Sequence, residues 1–219
     1  LVGDLLDFDV FSIKLKEILN EINANYGLEE DLEAELIMYA SLREYLKDNI
    51  IDTSYYLNQA LNQGQSVLVE GAQGTMLDID HGTYPYVSSA NTSVSGACSG
   101  LGISPLKISS ILGLVKSYST RVGAGFFPTE LFGKDGEMLR QKGREFDSNT
   151  GKARRCGWLD LVQLKAAQRI NACTHLCLSK LDVLSGFSEI KIATKYVLDG
   201  QEIFDLPLHE KDQKRLAVE

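Results

Sequence analysis

Three short stretches of the chain carry side chains that can do chemistry. The first, EGAQG at 70–74, sets Gln73 among small residues, so that a ligand can approach its amide closely. It is not a Walker phosphate loop, because no lysine follows Gly74. Taken alone, Gln73 is either a ligand contact or an amide that braces backbone. The second, SKLD at 179–182, ends a strand in lysine, a spacer and aspartate. In GTP-binding proteins that arrangement reads guanine: the carboxylate accepts from the ring N–H and the exocyclic amine together, a donor pair that adenine lacks. A lone lysine-x-aspartate is otherwise a solvated lysine beside a turn aspartate. The third, SNTGKARRCGW at 148–158, is the one dense basic segment in an acidic chain. Lys152, Arg154 and Arg155 beside Asn149, Thr150 and Gly151 suit carboxylates or phosphates, with a solvated basic turn as the plain alternative.

The elements that must position these residues alternate in type. Residues 11–62 read as helices: Ile13, Leu15, Ile18, Leu19 and Ile22 recur at three- and four-residue steps after Ser12, and Gly27 is a good terminator. A second helix over 29–47 carries an apolar stripe that includes Leu32, Leu36, Ile37, Tyr39 and Leu42, and Thr53 caps a third that ends at Gly64. SVLVE at 66–70 reads as a short buried strand, 112–122 as a second β element or a helix-to-strand transition, and THLCLSKLD as a third strand. WLDLVQLKAAQRINAC reads as an amphipathic helix, and Asp199-Gly200 as a two-residue hairpin turn. The boundaries predicted are a helical segment at 1–65 and an α/β part at 66–219. In such sheets ligands sit beyond the carboxyl ends of strands. The small, hydroxylated run at 67–96 begins at such an end, and Asp78, Asp80 and the stiff Tyr84-Pro85-Tyr86 unit argue against a plain linker.

Composition narrows the class. A net charge of −8 argues against a protein that grips a nucleic-acid backbone, so any anion must meet a local cluster of donors. No apolar run approaches the roughly 20 residues of a bilayer span, and no signal peptide is visible, which predicts a soluble, cytoplasmic protein. Cys98, Cys156, Cys173 and Cys177 are spaced too unevenly for a disulfide framework and predict reduced, mostly buried thiols. His81, His175 and His209 form no metal-ligand spacing. The opening LVGDLLD, without a methionine, reads as the middle of a longer polypeptide.

In collinear order, VLVEGAQGTMLDIDHGTYPYV, STRVGAGFFPTEL, TGKARRCGWLDLV and LSKLDVLSGFSEIKI strongly resemble the adenylosuccinate synthetase family, over nearly the whole chain. The resemblance implies an α/β fold of P-loop-NTPase-like type, with a mostly parallel sheet, flanking helices, an N-terminal helical segment and a C-terminal β-hairpin. This chain would be a fragment of that larger domain. It implies GTP-dependent joining of IMP to L-aspartate through a 6-phosphoryl-IMP intermediate, with Mg²⁺ held by ligands outside this segment. IMP, L-aspartate and GTP are then the partners of a homodimeric full-length enzyme, with no nucleic acid and no membrane.

Residue by residue, the resemblance makes Gln73 the catalytic amide at the 6-oxygen of IMP, and Ser88 and Lys152 further IMP contacts. Val122, Ser148, Asn149, Thr150, Gly151, Lys152, Ala153 and Arg154 correspond to the aspartate-binding positions. Arg154, Lys180, Leu181 and Asp182 correspond to the GTP-binding ones. Two departures stand out: Lys152 replaces an arginine and so loses a bidentate fork, and Phe126 replaces a proline. The family's P-loop, acid–base pair and metal ligands are absent from this segment, so the segment alone is expected to be inactive. A non-catalytic nucleotide-binding fragment is the alternative reading.

Overall fold

Three aspartates start the helices of the N-terminal part. Asp7 accepts from the amide of Val10 (3.2 Å) to open α1, Phe8–Tyr26. Asp31 accepts from Glu33 (2.9 Å) to open α2, Leu32–Leu46, and Asp52 from Tyr55 (2.9 Å) to open α3, Thr53–Asn62. A carboxylate is both a capping acceptor and a partner for the positive end of the helix dipole. These aspartates displace the caps expected from sequence. Ser12 lies inside α1 and donates to the carbonyl of Phe8 (2.6 Å), and Thr53 is the first residue of α3. Gly27 ends α1 as expected, at φ +64°. The computed structural model describes all 219 residues except Asn149 and Leu208, and its chain falls into two units, Leu1–Val67 and Leu68–Glu219.

In the first unit α1 packs on α2 through aromatic rings. Phe8 stacks on Phe11 at 5.6 Å, Phe11 meets Tyr39 at 4.9 Å, and the Arg43 guanidinium lies 5.9 Å from the Phe8 centroid. The helices lie where the apolar period places them, but much of each stripe is not buried. Ile13, Ile18, Ile37 and Leu42 of the predicted stripes are exposed, and the buried apolar residues here are Leu5 and Ala60.

Residues 66–70, which span the boundary between the units, belong to no strand among the described residues, against expectation, and Leu68 is almost fully exposed. An extended apolar run becomes a strand only where a neighbour completes its hydrogen-bond ladder. The neighbours pair otherwise. The expected β element at 112–122 resolves into β1, Leu112–Lys116, and β2, Tyr118–Arg121. β2 runs antiparallel to β3, Arg155–Asp160, and β1 runs parallel to β4, His175–Ser179, from Leu112 opposite His175 to Lys116 opposite Ser179. β3 also pairs in parallel with β5, Ile192–Ala193. The expected hairpin is present: β6, Tyr196–Leu198, turns through Asp199 (φ +51°) and Gly200 (φ +81°) into β7, Gln201–Ile203. On its other side β6 meets β8, Ala217–Val218.

Helices α4, Val94–Leu101, α5, Lys134–Gly143, α6, Leu161–Asn171, and the short α7, Glu210–Gln213, complete the α/β pattern. The helix expected from Trp158 starts later, because Trp158 to Asp160 are strand and Asp160 caps α6 by accepting from Val162 and Gln163. Tyr118, Leu139, Cys156, Trp158, Val183 and Leu184 form the core, which joins β2, β3, α5 and the turn after β4. The four cysteines are free, but only Cys156 is buried and Cys177 is exposed, so the expectation of mostly buried thiols does not hold. Among the described residues no helix is long and apolar enough to cross a membrane.

Candidate functional site

The run after Gln73 is organised around one buried carboxylate. Asp78 is fully buried; its Oδ1 accepts from the amides of Asp80 and His81 (both 3.0 Å), and its Oδ2 from Thr92 (2.7 Å) and Ser93 (3.2 Å). Burial opposes ionisation, yet the four amides outweigh it and lower the pKa of Asp78 below its ordinary value. Around this centre Ser88 Oγ donates to the carbonyls of Leu77 (2.9 Å) and Ala90 (3.1 Å), and Thr92 Oγ1 to that of Gly74 (2.8 Å). Small hydroxylated residues are therefore what this cage requires: each ties backbone to backbone without filling space. Gln73, which precedes the cage in sequence, is exposed and holds φ +65°, a conformation uncommon for a residue with a side chain.

A second loop is fastened to this cage by Arg121, at the end of β2. Its Nη1 donates to Thr83 Oγ1 (3.0 Å), its Nη2 to the carbonyl of Tyr86 (2.8 Å) and its Nε to that of Ala124 (2.8 Å). Arg155, its ladder partner on β3, ion-pairs with Glu130 and donates to the carbonyls of Gly123 (3.1 Å) and Gly125 (2.9 Å). Val122 follows the first of these arginines and Arg154 precedes the second, so two predicted site residues flank one ladder pair. Phe126, the departure noted above, meets the Tyr196 ring edge-on at 6.2 Å.

The basic stretch is an exposed turn held by its own hydrogen bonds. Thr150 donates to Asp147 Oδ1 through both its amide and its hydroxyl (2.8 Å each), the amide of Asp147 donates to the carbonyl of Lys152 (2.8 Å), and Phe146 bridges Ala153. At the base of the turn, the Arg154 amide donates to the carbonyl of Glu145 (3.0 Å). Ser148, Thr150, Gly151, Lys152 and Ala153 are exposed, and Asn149 lies outside the described residues.

Glu145 is the residue that sequence reasoning missed. Only 1% exposed, its Oε1 accepts from Lys116 Nζ (3.0 Å), Lys180 Nζ (2.9 Å) and Tyr118 Oη (2.5 Å), and its Oε2 from Lys116 Nζ (3.0 Å) and Arg154 Nη1 (3.4 Å). Burial alone would raise its pKa, but these donors bring it down to about 2. Burial in turn lowers Lys116, against the pull of Glu145, and raises the Tyr118 phenol, which also donates to that carboxylate. Gly143 makes the cluster possible, since a Cβ there would lie 2.2 Å from Tyr118 Oη. Its carbonyl accepts from Lys180 Nζ (2.6 Å). Lys180 stands at the carboxyl end of β4 at φ +60°, and Leu181 and Asp182 follow, both exposed.

The predicted residues thus fall into two groups. Arg121 ties the Gln73–Ser88 cage to the loop beside Val122, and Glu145 brings Arg154 and Lys180 together. Among the described residues no group of three His, Cys, Asp or Glu side chains is set to hold a metal ion. No sequence signal marked Glu145, whose partners Lys116 and Lys180 lie 29 and 35 residues away.

Comparison with known proteins agrees over the full length. The family model for adenylosuccinate synthetase matches residues 1–219. The adenylosuccinate synthetase of Chlorobium phaeovibrioides is 46% identical over 98% of this chain and 51% of its own length. That of Geotalea daltonii is 49% identical over 93% of this chain and 48% of its own. The solved structure of fully ligated adenylosuccinate synthetase from Plasmodium falciparum superposes with a TM-score of 0.93 at 39% identity, covering 99% of this chain and 52% of that one. The chain spans about half the length of the curated relatives it matches. With Gln73, the basic turn and the Lys180–Asp182 strand end all inside the matched region, the chain belongs to the adenylosuccinate synthetase family.

Proposed function

We propose that this chain supplies substrate contacts to an enzyme that joins IMP and L-aspartate at the expense of GTP, giving adenylosuccinate, GDP and phosphate. The family match over all 219 residues carries the reading. In it GTP phosphorylates the 6-oxygen of IMP, and the aspartate amine then displaces that phosphate. Gln73 offers its amide to the 6-oxygen, Ser88 and Lys152 contact IMP, and the turn from Ser148 to Arg154, with Val122, takes the aspartate carboxylates. Arg154 also faces the nucleotide, and Lys180, Leu181 and Asp182 read guanine. The left-handed backbone at Gln73 and at Lys180 supports this assignment, because strained conformations gather where a side chain must be aimed. Mg²⁺ and the acid–base pair are taken to come from outside these residues, and the segment alone is read as inactive. Both units are read as parts of one catalytic domain of a cytoplasmic homodimer, on family membership alone.

The test is an assay of the full-length protein that contains this chain, with IMP, GTP, Mg²⁺ and aspartate, beside its Asp182→Asn variant. Adenylosuccinate is the expected product. The variant is expected to lose GTP use and gain use of xanthosine triphosphate, whose 2-oxo group accepts from the new amide. Absence of product from the wild-type protein would leave the chain as a nucleotide-binding relative without the ligase activity.

A further inference from the structure

A buried carboxylate can be stabilised by backbone amides alone, as Asp78 shows. Glu145 is held differently. Its acceptors meet three cationic side chains and a phenol, drawn from β1, β2, the base of the basic turn and the residue after β4. Burying the Glu145 carboxylate costs several kcal/mol in desolvation, and an apolar side chain packed there often serves stability as well or better. What the charged cluster provides is geometry. Arg154 is fixed to Glu145 twice, by its amide to the Glu145 carbonyl (3.0 Å) and by Nη1 to Oε2 (3.4 Å). Lys180 is fixed to Oε1 (2.9 Å) and to the carbonyl of Gly143, two residues earlier (2.6 Å). The two oxygens of one carboxylate therefore set the spacing between the basic turn and the Lys180–Asp182 strand end. Three cations around one carboxylate also leave the cluster with excess positive charge, suited to an anionic ligand beside it.

We propose that Glu145 is a positioning residue that places Arg154 and Lys180 relative to one another, so that the turn and the base-reading strand end engage their ligands in one fixed arrangement. This rests on the function proposed above. A glutamine there keeps one acceptor but turns an N–H₂ toward donors, so one of the two contacts is lost. The Gln73–Ser88 cage is built on Asp78 and, among the described residues, makes no hydrogen bond to Glu145.

The experiment is steady-state kinetics on the full-length protein and its Glu145→Gln variant, varying each substrate in turn, with a thermal melt on both. The expected result is a rise of about tenfold in KM for GTP and for aspartate, the loss of one charge-assisted contact, with KM for IMP within about twofold of wild type. An equal rise for all three substrates, or none for GTP and aspartate, would overturn the positioning role. If Glu145→Gln does not fold, Glu145→Asp, one methylene shorter, should show the same split at smaller size. Loss of folding in both would make Glu145 a structural hub only. A wild-type protein that makes no adenylosuccinate would instead remove the functional reading, and this inference with it; turnover without the split removes this inference alone.

Discussion

Asp78 and Glu145 are both buried carboxylates held well ionised, and they are satisfied in opposite ways. Asp78 takes four backbone amides, all within 15 residues of it in sequence. Glu145 takes side chains from Lys116, Tyr118, Arg154 and Lys180. Backbone donors cannot be exchanged by mutation, so the four contacts at Asp78 depend on its side chain alone and fix the shape of one loop. Side-chain donors can be lost one at a time, so the Glu145 cluster is more adjustable, and it couples elements rather than shaping one. The same charge in the same degree of burial thus serves local form in one place and relative placement in the other.

The largest effect expected from this contrast is at Asp78. Asp78→Ala leaves four amides without their acceptor, and a loss of about 4 kcal/mol is expected in urea unfolding, at roughly 1 kcal/mol per donor. A loss below about 1 kcal/mol would mean that water replaces the carboxylate freely and that the cage is not built on it.

A smaller, pH-dependent effect is expected at Glu145. Because its pKa is depressed from 4.5 to about 2 in the folded protein, its contribution is complete above about pH 4.5 and is lost as pH falls toward 2. The stability gap between wild type and Glu145→Gln should therefore be about 2–3 kcal/mol at pH 7 and close as the pH is lowered through that window. A gap that stays constant between pH 6 and pH 3 would contradict the ionised cluster. Because Asp78 is depressed as well, the comparison must be made between the two proteins, not on wild type alone.

The smallest effect is at Ser88, whose hydroxyl ties together backbone that Asp78 already fixes. Ser88→Ala should cost about 1 kcal/mol, and if Ser88 lies against IMP it should raise KM for IMP while leaving that for GTP unchanged. A change in the KM for GTP instead would blur the distinction between cage and cluster.

What could be read in the sequence follows the same division. The hairpin at Asp199-Gly200 and the αL terminator at Gly27 were legible because their physics is confined to a few residues. Asp78 was visible as a turn former, although its four amides were not. The roles expected of Gln73, Lys152 and Lys180 rest on family resemblance, since each alone has a plain alternative. Trp158 to Asp160 were read as helix because a short apolar run fits both periods, and tertiary pairing with β2 decided for strand. Residues 66–70 show the converse: a strand-like composition without a ladder partner among the described residues. Glu145 was illegible because a glutamate in a charged stretch ordinarily faces water, and only the pairing of β1 with β4 and the close approach allowed by Gly143 surround it with cations.

The span of the Glu145 cluster has a consequence for the order of folding. Its partners extend from Lys116 to Lys180, so it closes only after β1 and β4 have paired across the intervening chain, whereas the amide contacts of Asp78 close within 15 residues. Short loops close at lower entropic cost and long-range contacts form late. Substitutions at Asp78 are then expected to slow refolding, while those at Glu145 leave refolding nearly unchanged and hasten unfolding, a difference that the two limbs of a chevron plot would separate. In kinetic terms, the arginine and lysine that Glu145 holds would be among the last side chains to reach their places and among the first to leave them.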